Sequence, residues 1–115
     1  MPAAITQPPW TVTPERIQEA VHRLVAAAHP LRIIMFGSQS RGGRHRDSDL
    51  DLVVIEREVP NRMAEMIRLE RALRGMALPT DILVISERDF KKWAETPGSV
   101  YYEAKRDGKV LYEAV

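Results

Sequence analysis

Cysteine is absent from this 115-residue chain, which excludes a disulfide framework and is compatible with a reducing compartment. Histidine is scarce: His22, His29 and His45 are scattered, so neither thiolates nor clustered imidazoles are available to zinc. Charge of one sign is lacking too. A net charge of +1 gives no general electrostatic case for binding nucleic acid, and the one local concentration of positive charge is Arg41, Arg44 and Arg46. No basic residue precedes Arg16, and no apolar run is long enough for a signal peptide or a membrane span. A soluble, cytoplasmic protein is expected. Internal repeats and low-complexity tracts are also missing, and the length suits one domain with a single core.

What is present begins with an extended arm, residues 1–12, carrying Pro2, Pro8, Pro9 and Trp10. Residues 13–115 read as the folded domain. Thr13 is placed to cap a helix with Pro14 at its first position. Ile17, Ala20, Val21, Leu24 and Val25 then recur at helical spacing until Pro30. A second helix is expected over about residues 61–74, with Met63, Met66, Ile67, Leu69 and Leu73 turned inward and a stop at Gly75. The run Ser86-Glu87-Arg88-Asp89 has the form of a capping box before Phe90 and Trp93. Thr96-Pro97 is expected to open a last helix that ends at Gly108, and Val110-Leu111-Tyr112 a short edge strand or tail. His22 and His29 are expected at the surface.

The most informative stretch lies between two apolar runs. In Asp49-Leu50-Asp51-Leu52-Val53-Val54-Ile55, strand alternation sends Asp49 and Asp51 to one face. Their Cα atoms stand about 6.5–7 Å apart. Two anions about 5 Å apart repel by about 3 kcal/mol at an effective dielectric near 20, so a proton or a cation has to join them. A third carboxylate, Asp81, begins the strand-like run Asp81-Ile82-Leu83-Val84-Ile85. With a helical crossover between the two strands they are parallel and start at the same sheet edge. The run Leu31-Arg32-Ile33-Ile34-Met35-Phe36 ends at Gly37, and an antiparallel return through residues 38–48 brings Gly37-Ser38 to that edge as well.

Each of these groups has a use. Gly37 lets backbone approach phosphate oxygens, and Ser38 adds an amide and a hydroxyl donor. The loop arginines can balance a triphosphate, and His45 lies among them. Oxygen ligands favour a hard ion, Mg²⁺ or Mn²⁺, and in a two-metal arrangement one ion activates the attacking hydroxyl while the other steadies the leaving pyrophosphate. Taken singly, a Gly-Ser turn, an Asp-x-Asp pair and an acidic strand start are all common for structural reasons. Their joint occurrence in the order strand, turn, strand, crossover, strand is what points to a site.

The segment from Gly37-Ser38-Gln39-Ser40-Arg41-Gly42 through Ser48-Asp49-Leu50-Asp51-Leu52 resembles the signature of the polymerase-beta-like nucleotidyltransferases. More narrowly it is similar to the minimal, MNT-type members that act as antitoxins beside HEPN-domain toxins. The resemblance implies an α/β (α+β) fold with a small mixed β-sheet flanked by helices. It implies that Gly37, Ser38 and Arg41 bind the nucleotide, and that Asp49 and Asp51 hold both of two Mg²⁺ ions. Asp81 would complete one metal site and help to deprotonate the acceptor; Glu56 and Glu87 are the carboxylates most easily mistaken for it. It further implies transfer of AMP from ATP to a hydroxyl of a partner, a HEPN-type toxin, since a chain of this size has no further domain to grip an acceptor. Open beside this stand a non-catalytic antitoxin that neutralises its partner by covering it, and a small-molecule nucleotidyltransferase. Direct binding of nucleic acid by the loop arginines is disfavoured, because the clustered carboxylates repel a bare phosphate backbone.

Overall fold

Thr13 and Pro14 start the first helix of the computed structural model, which describes residues 11–37 and 49–115. The Thr13 Oγ1 accepts a hydrogen bond from the Arg16 amide at 3.2 Å, and the helix α1 runs over Pro14–Ala28. It stops where His29 takes up a left-handed conformation at its C-cap, with Pro30 next. Strand β1 (Arg32–Phe36) follows, and strand β2 (Leu50–Glu56) pairs with it antiparallel. Helix α2 (Arg62–Ala72), capped by the Asn61 side chain, then crosses over to strand β3 (Thr80–Ser86), which lies parallel to β2. Two short helices, α3 (Glu87–Trp93) and α4 (Val100–Asp107), lead to strand β4 (Lys109–Glu113). The order across the mixed sheet is β3-β2-β1-β4. This is an α+β architecture in which a parallel pair and two antiparallel pairs share one sheet.

Alternation along the strands divides the interior into two layers. Leu50, Leu52 and Val54 of β2, with Ile82 and Val84 of β3, pack against Ala20, Val21 and Leu24 of α1 and Leu69 of α2. Val53, Ile55 and Ile85 point the other way, onto Phe90 of α3 and Tyr101 and Ala104 of α4. The sheet therefore carries α1 and α2 on one face and α3 and α4 on the other. Asp51 and Asp81 belong by parity to the α3/α4 face, at the end where β2 and β3 begin.

Two expectations need correction. Met63 and Ile67 do not turn inward: they are 65% and 43% exposed, while Leu69 and Leu73 of the same helix are buried. An apolar stripe wider than the buried arc cannot be covered by one sheet and one neighbouring helix. Helix α4 opens at Val100, not at Thr96-Pro97; the Ser99 Oγ accepts from the Tyr102 amide at 3.0 Å and donates to the Trp93 carbonyl at 2.7 Å. Thr96 and Pro97 sit in the turn before it, and the Thr96 hydroxyl goes to the Lys92 carbonyl. Of the expected arm, residues 1–10 lie outside the described residues, and Thr11 and Val12 are buried against the body.

Candidate functional site

The parallel pairing of β2 with β3 sets Leu50 against Thr80 and Asp51 directly against Asp81. A hydrogen bond from the Leu50 amide to the Pro79 carbonyl, 2.9 Å, fixes this register at the very start of both strands. On the other side of β2, Phe36 is the antiparallel partner of Asp51, so Gly37 leaves β1 beside that carboxylate. Gly37 has φ +76°, and a methyl group at its Cα would overlap the Asp51 carboxylate. A left-handed turn with no side chain is thus required where the backbone meets the acid.

Asp49 and Asp81 are exposed, and Asp51 is half-buried between them. The electrostatics report the crowding. Burial pushes the Asp51 carboxyl above its ordinary value, and the negative charges of Asp81 and then Asp49 push it further the same way. Two neighbouring acids therefore act on Asp51. Ser38, Arg41, Arg44, His45 and Arg46, the remaining residues expected at this edge, lie outside the described residues.

The donor set suits a hard cation: three carboxylates, one of them with the negative charge of the other two around it. Among the described residues no group of three acids or histidines is drawn together as a finished cage. Mg²⁺ seldom uses such a cage. It keeps several waters and takes one or two carboxylates, with substrate phosphates filling the rest.

The two other carboxylates easily mistaken for the third acid are elsewhere. Glu56 ends β2 at the opposite edge and, by parity, on the α1/α2 face. There it meets Glu65 of α2, which Arg68 grips through two hydrogen bonds of 2.8 and 2.7 Å. Burial, followed by the hydrogen bond and the charge of Glu65, pushes the Glu56 carboxyl up to about 8, with Arg68 opposing. Glu87 opens α3, also at the far end of β3.

Sequence reasoning missed a cleft beside the start of β3. It has a volume of about 580 Å³ and lies on the α1/α2 side of β3, lined by Glu70, Leu73, Arg74, Leu78, Thr80 and Ile82. Its wall is shaped by Gly75 and Ala77, both at positive φ. The glycine was the only signal of that turn in the sequence, and it read simply as a helix stop.

Residues 18–114 match the family model described as polymerase beta, nucleotidyltransferase. The chain belongs to this family. In fold it is similar to a protein of Sulfolobus solfataricus assigned as a nucleotidyltransferase, with 20% identity and a TM-score of 0.60 over 86% of this chain and 78% of that one. It is also similar to a chain of the MntA–HpeT toxin–antitoxin, in a variant with two aspartate-to-glutamate changes: 17% identity, TM-score 0.56, 90% and 75% covered. A third likeness is to a toxin–antitoxin bearing AMP-PNP, with 20% identity, a TM-score of 0.54, and 84% and 73% covered. Among curated proteins none matches the sequence significantly. At these identities the structural likenesses carry the fold alone.

Proposed function

We propose that this nucleotidyltransferase moves AMP from ATP, with Mg²⁺, onto a hydroxyl of a partner protein, the HEPN-type toxin of a toxin–antitoxin pair. The observation that carries the reading is the register that sets Asp51 against Asp81, with the side-chain-free turn of Gly37 against Asp51. The likeness to toxin–antitoxin chains, one with AMP-PNP and one altered at two aspartates, supports the choice of nucleotide and partner. No helix among the described residues is long and apolar enough to cross a membrane, and the proposed place of work is the cytoplasm.

In this reading Gly37 and Ser38 hold the triphosphate through backbone amides and the hydroxyl, and Arg41 balances its charge. Asp49, Asp51 and Asp81 would hold magnesium, which when bound supplies positive charge for the phosphates and the acceptor oxygen. Asp81, the exposed member of the opposed pair, lies where an acceptor can approach, and takes the hydroxyl proton. The acceptor oxygen forms its bond to the α-phosphorus while the bond to pyrophosphate breaks, and pyrophosphate leaves with the electron pair. Aligning nucleophile and leaving group is most of what such a site has to do.

The test is to incubate the chain, Mg²⁺ and ATP labelled at the α-phosphate with a HEPN-type protein as the candidate partner. Label on the partner supports the reading; label only on small molecules, or none at all, removes it.

A further inference from the structure

The turn that delivers β3, residues 73–79, carries two residues at positive φ, Gly75 and Ala77. For Gly75, at φ +91°, the conformation is unhindered, and no atom lies within 4 Å of the place a Cβ would take. Ala77, at φ +56°, does carry a Cβ. The other described non-glycine residue at positive φ, His29, is the C-cap of α1, where this conformation is ordinary. Ala77 lies beyond Leu73, the C-cap of α2, so its neighbours have to hold it there.

The Met76 carbonyl belongs to the same peptide plane as the Ala77 amide, and rotating that plane changes the φ of Ala77. Arg16 of α1 donates to this carbonyl through Nη2. Its Nε is buried and without a partner among the described residues, so the guanidinium leaves one donor unpaired while it grips the carbonyl, at a cost that a freely placed arginine avoids. The Met76 side chain is buried in the α1/α2 layer, which fixes where the residue sits and leaves the orientation of the plane to Arg16.

What Arg16 holds is carried forward along the chain. Leu78 precedes a proline, which confines it to extended conformations, and the ring of Pro79 fixes its own φ. The Thr80 hydroxyl donates to the Leu78 carbonyl at 3.0 Å, and the Leu50 amide to the Pro79 carbonyl at 2.9 Å. This stiff link does not absorb a rotation of the Met76–Ala77 plane. The rotation passes to Thr80 and Asp81 and moves them against Leu50 and Asp51, their partners in the register.

We infer that Arg16 is a positioning residue for Asp81: by gripping the Met76 carbonyl it holds Ala77 in the left-handed conformation that starts β3 level with β2. It acts through the backbone, since Arg16 reaches the turn from α1 whereas Asp81 belongs to the α3/α4 face. Its consequence for catalysis rests on the proposed function, in which Asp81 takes the acceptor proton. Arg23, also on α1, supplies the contrast. It donates to the Arg74 carbonyl at 3.0 Å, whose plane is shared with Gly75, and a glycine keeps a positive φ without such help.

Three variants test this. Arg16→Met removes the donor, Arg16→Lys keeps a charged donor sufficient for one carbonyl, and Arg23→Met is the control. Hydrogen exchange at the Leu50 amide, which needs neither nucleotide nor acceptor, reads whether β3 starts in place. In Arg16→Met it should quicken about tenfold or more relative to Val53 in the middle of β2. For transfer, kcat should fall about tenfold with KM for ATP within about twofold, because β1 and Gly37 are untouched. Arg16→Lys should restore both, Arg23→Met should disturb neither, and Arg16→Met should add nothing to the loss caused by Asp81→Asn. Leu50 exchange at the wild-type rate in Arg16→Met overturns the inference. So does exchange that quickens equally at Val53, which would make Arg16 merely stabilising, or a loss of kcat undiminished when Asp81 is already asparagine. Failure of the proposed function looks different: Asp81→Asn then transfers AMP as wild type does, while Leu50 exchange still decides whether Arg16 sets the start of β3.

Discussion

Asp51 and Asp81 face each other across the parallel pair β2/β3, residue against residue, and burial together with this neighbour holds the Asp51 carboxyl above its usual range. Such an arrangement costs stability whenever the acid is ionised. A group whose folded-state pKa is raised contributes most below its unfolded value and loses that contribution as pH rises through the folded one. At pH 7 Asp51→Asn should therefore melt higher than wild type while nucleotide transfer falls by about 100-fold or more. A variant that melts lower, or that retains transfer, contradicts the assignment.

Gly37 is pinned from two directions. Its positive φ disfavours any other residue, and the space its Cβ would fill belongs to the Asp51 carboxylate. Gly37→Ala should lose about 1–3 kcal/mol in urea unfolding, and transfer should fall along with it because Asp51 is displaced. Gly75 is at positive φ with nothing within 4 Å of an added Cβ. Gly75→Ala is the control: backbone strain of the same kind, with transfer kept.

Glu56 and Glu65 form the other acidic contact. The Glu56 Oε2 atom is buried without a donor, and two facing carboxylates have none between them unless one carries a proton. Arg68 holds Glu65 below its ordinary value, which leaves the proton to Glu56, pushed up from 4.5 to about 8. Its stabilising contribution is complete below pH 4.5 and is lost as pH rises through about 8. Glu56→Gln keeps a donor at every pH. Its melting temperature should fall less than that of wild type between pH 6 and pH 9; parallel curves would show that the shared proton does not exist.

Much of this fold could be read in advance because its punctuation is local. Thr13 with Pro14, Ser86 before α3, and the alternation of β2 each fix an element through neighbours in sequence. The meeting of Gly37, Asp51 and Asp81 followed from topology, since a helical crossover makes β2 and β3 parallel. Their one-to-one register did not: it depends on the Leu50–Pro79 hydrogen bond, between residues far apart in the chain. Met63 and Ile67 misled because apolar residues on a helix do not reveal how wide an arc the fold can cover. The start of α4 misled because Thr96 and Ser99 both suit a cap, and the choice rests on the Trp93 carbonyl that Ser99 reaches.

Magnesium alone, without nucleotide or partner, should raise the melting temperature. Asp51 stands among the negative charges of Asp81 and Asp49, and folding gathers carboxylates that the unfolded chain holds apart. A ligand that binds only the folded state stabilises it in proportion to the logarithm of its excess, about 1.4 kcal/mol at ten times the dissociation constant. Calorimetry over a Mg²⁺ series should show that rise, and a chelator should reverse it. Asp51→Asn should flatten the response, because it removes the carboxylate on which the other two charges converge. Glu56→Gln, at the opposite end of β2, should leave it intact, which separates binding at the aspartates from a general effect of salt. A stabilisation equal in both variants, or matched by sodium at the same ionic strength, would mean that the three acids do not hold a metal.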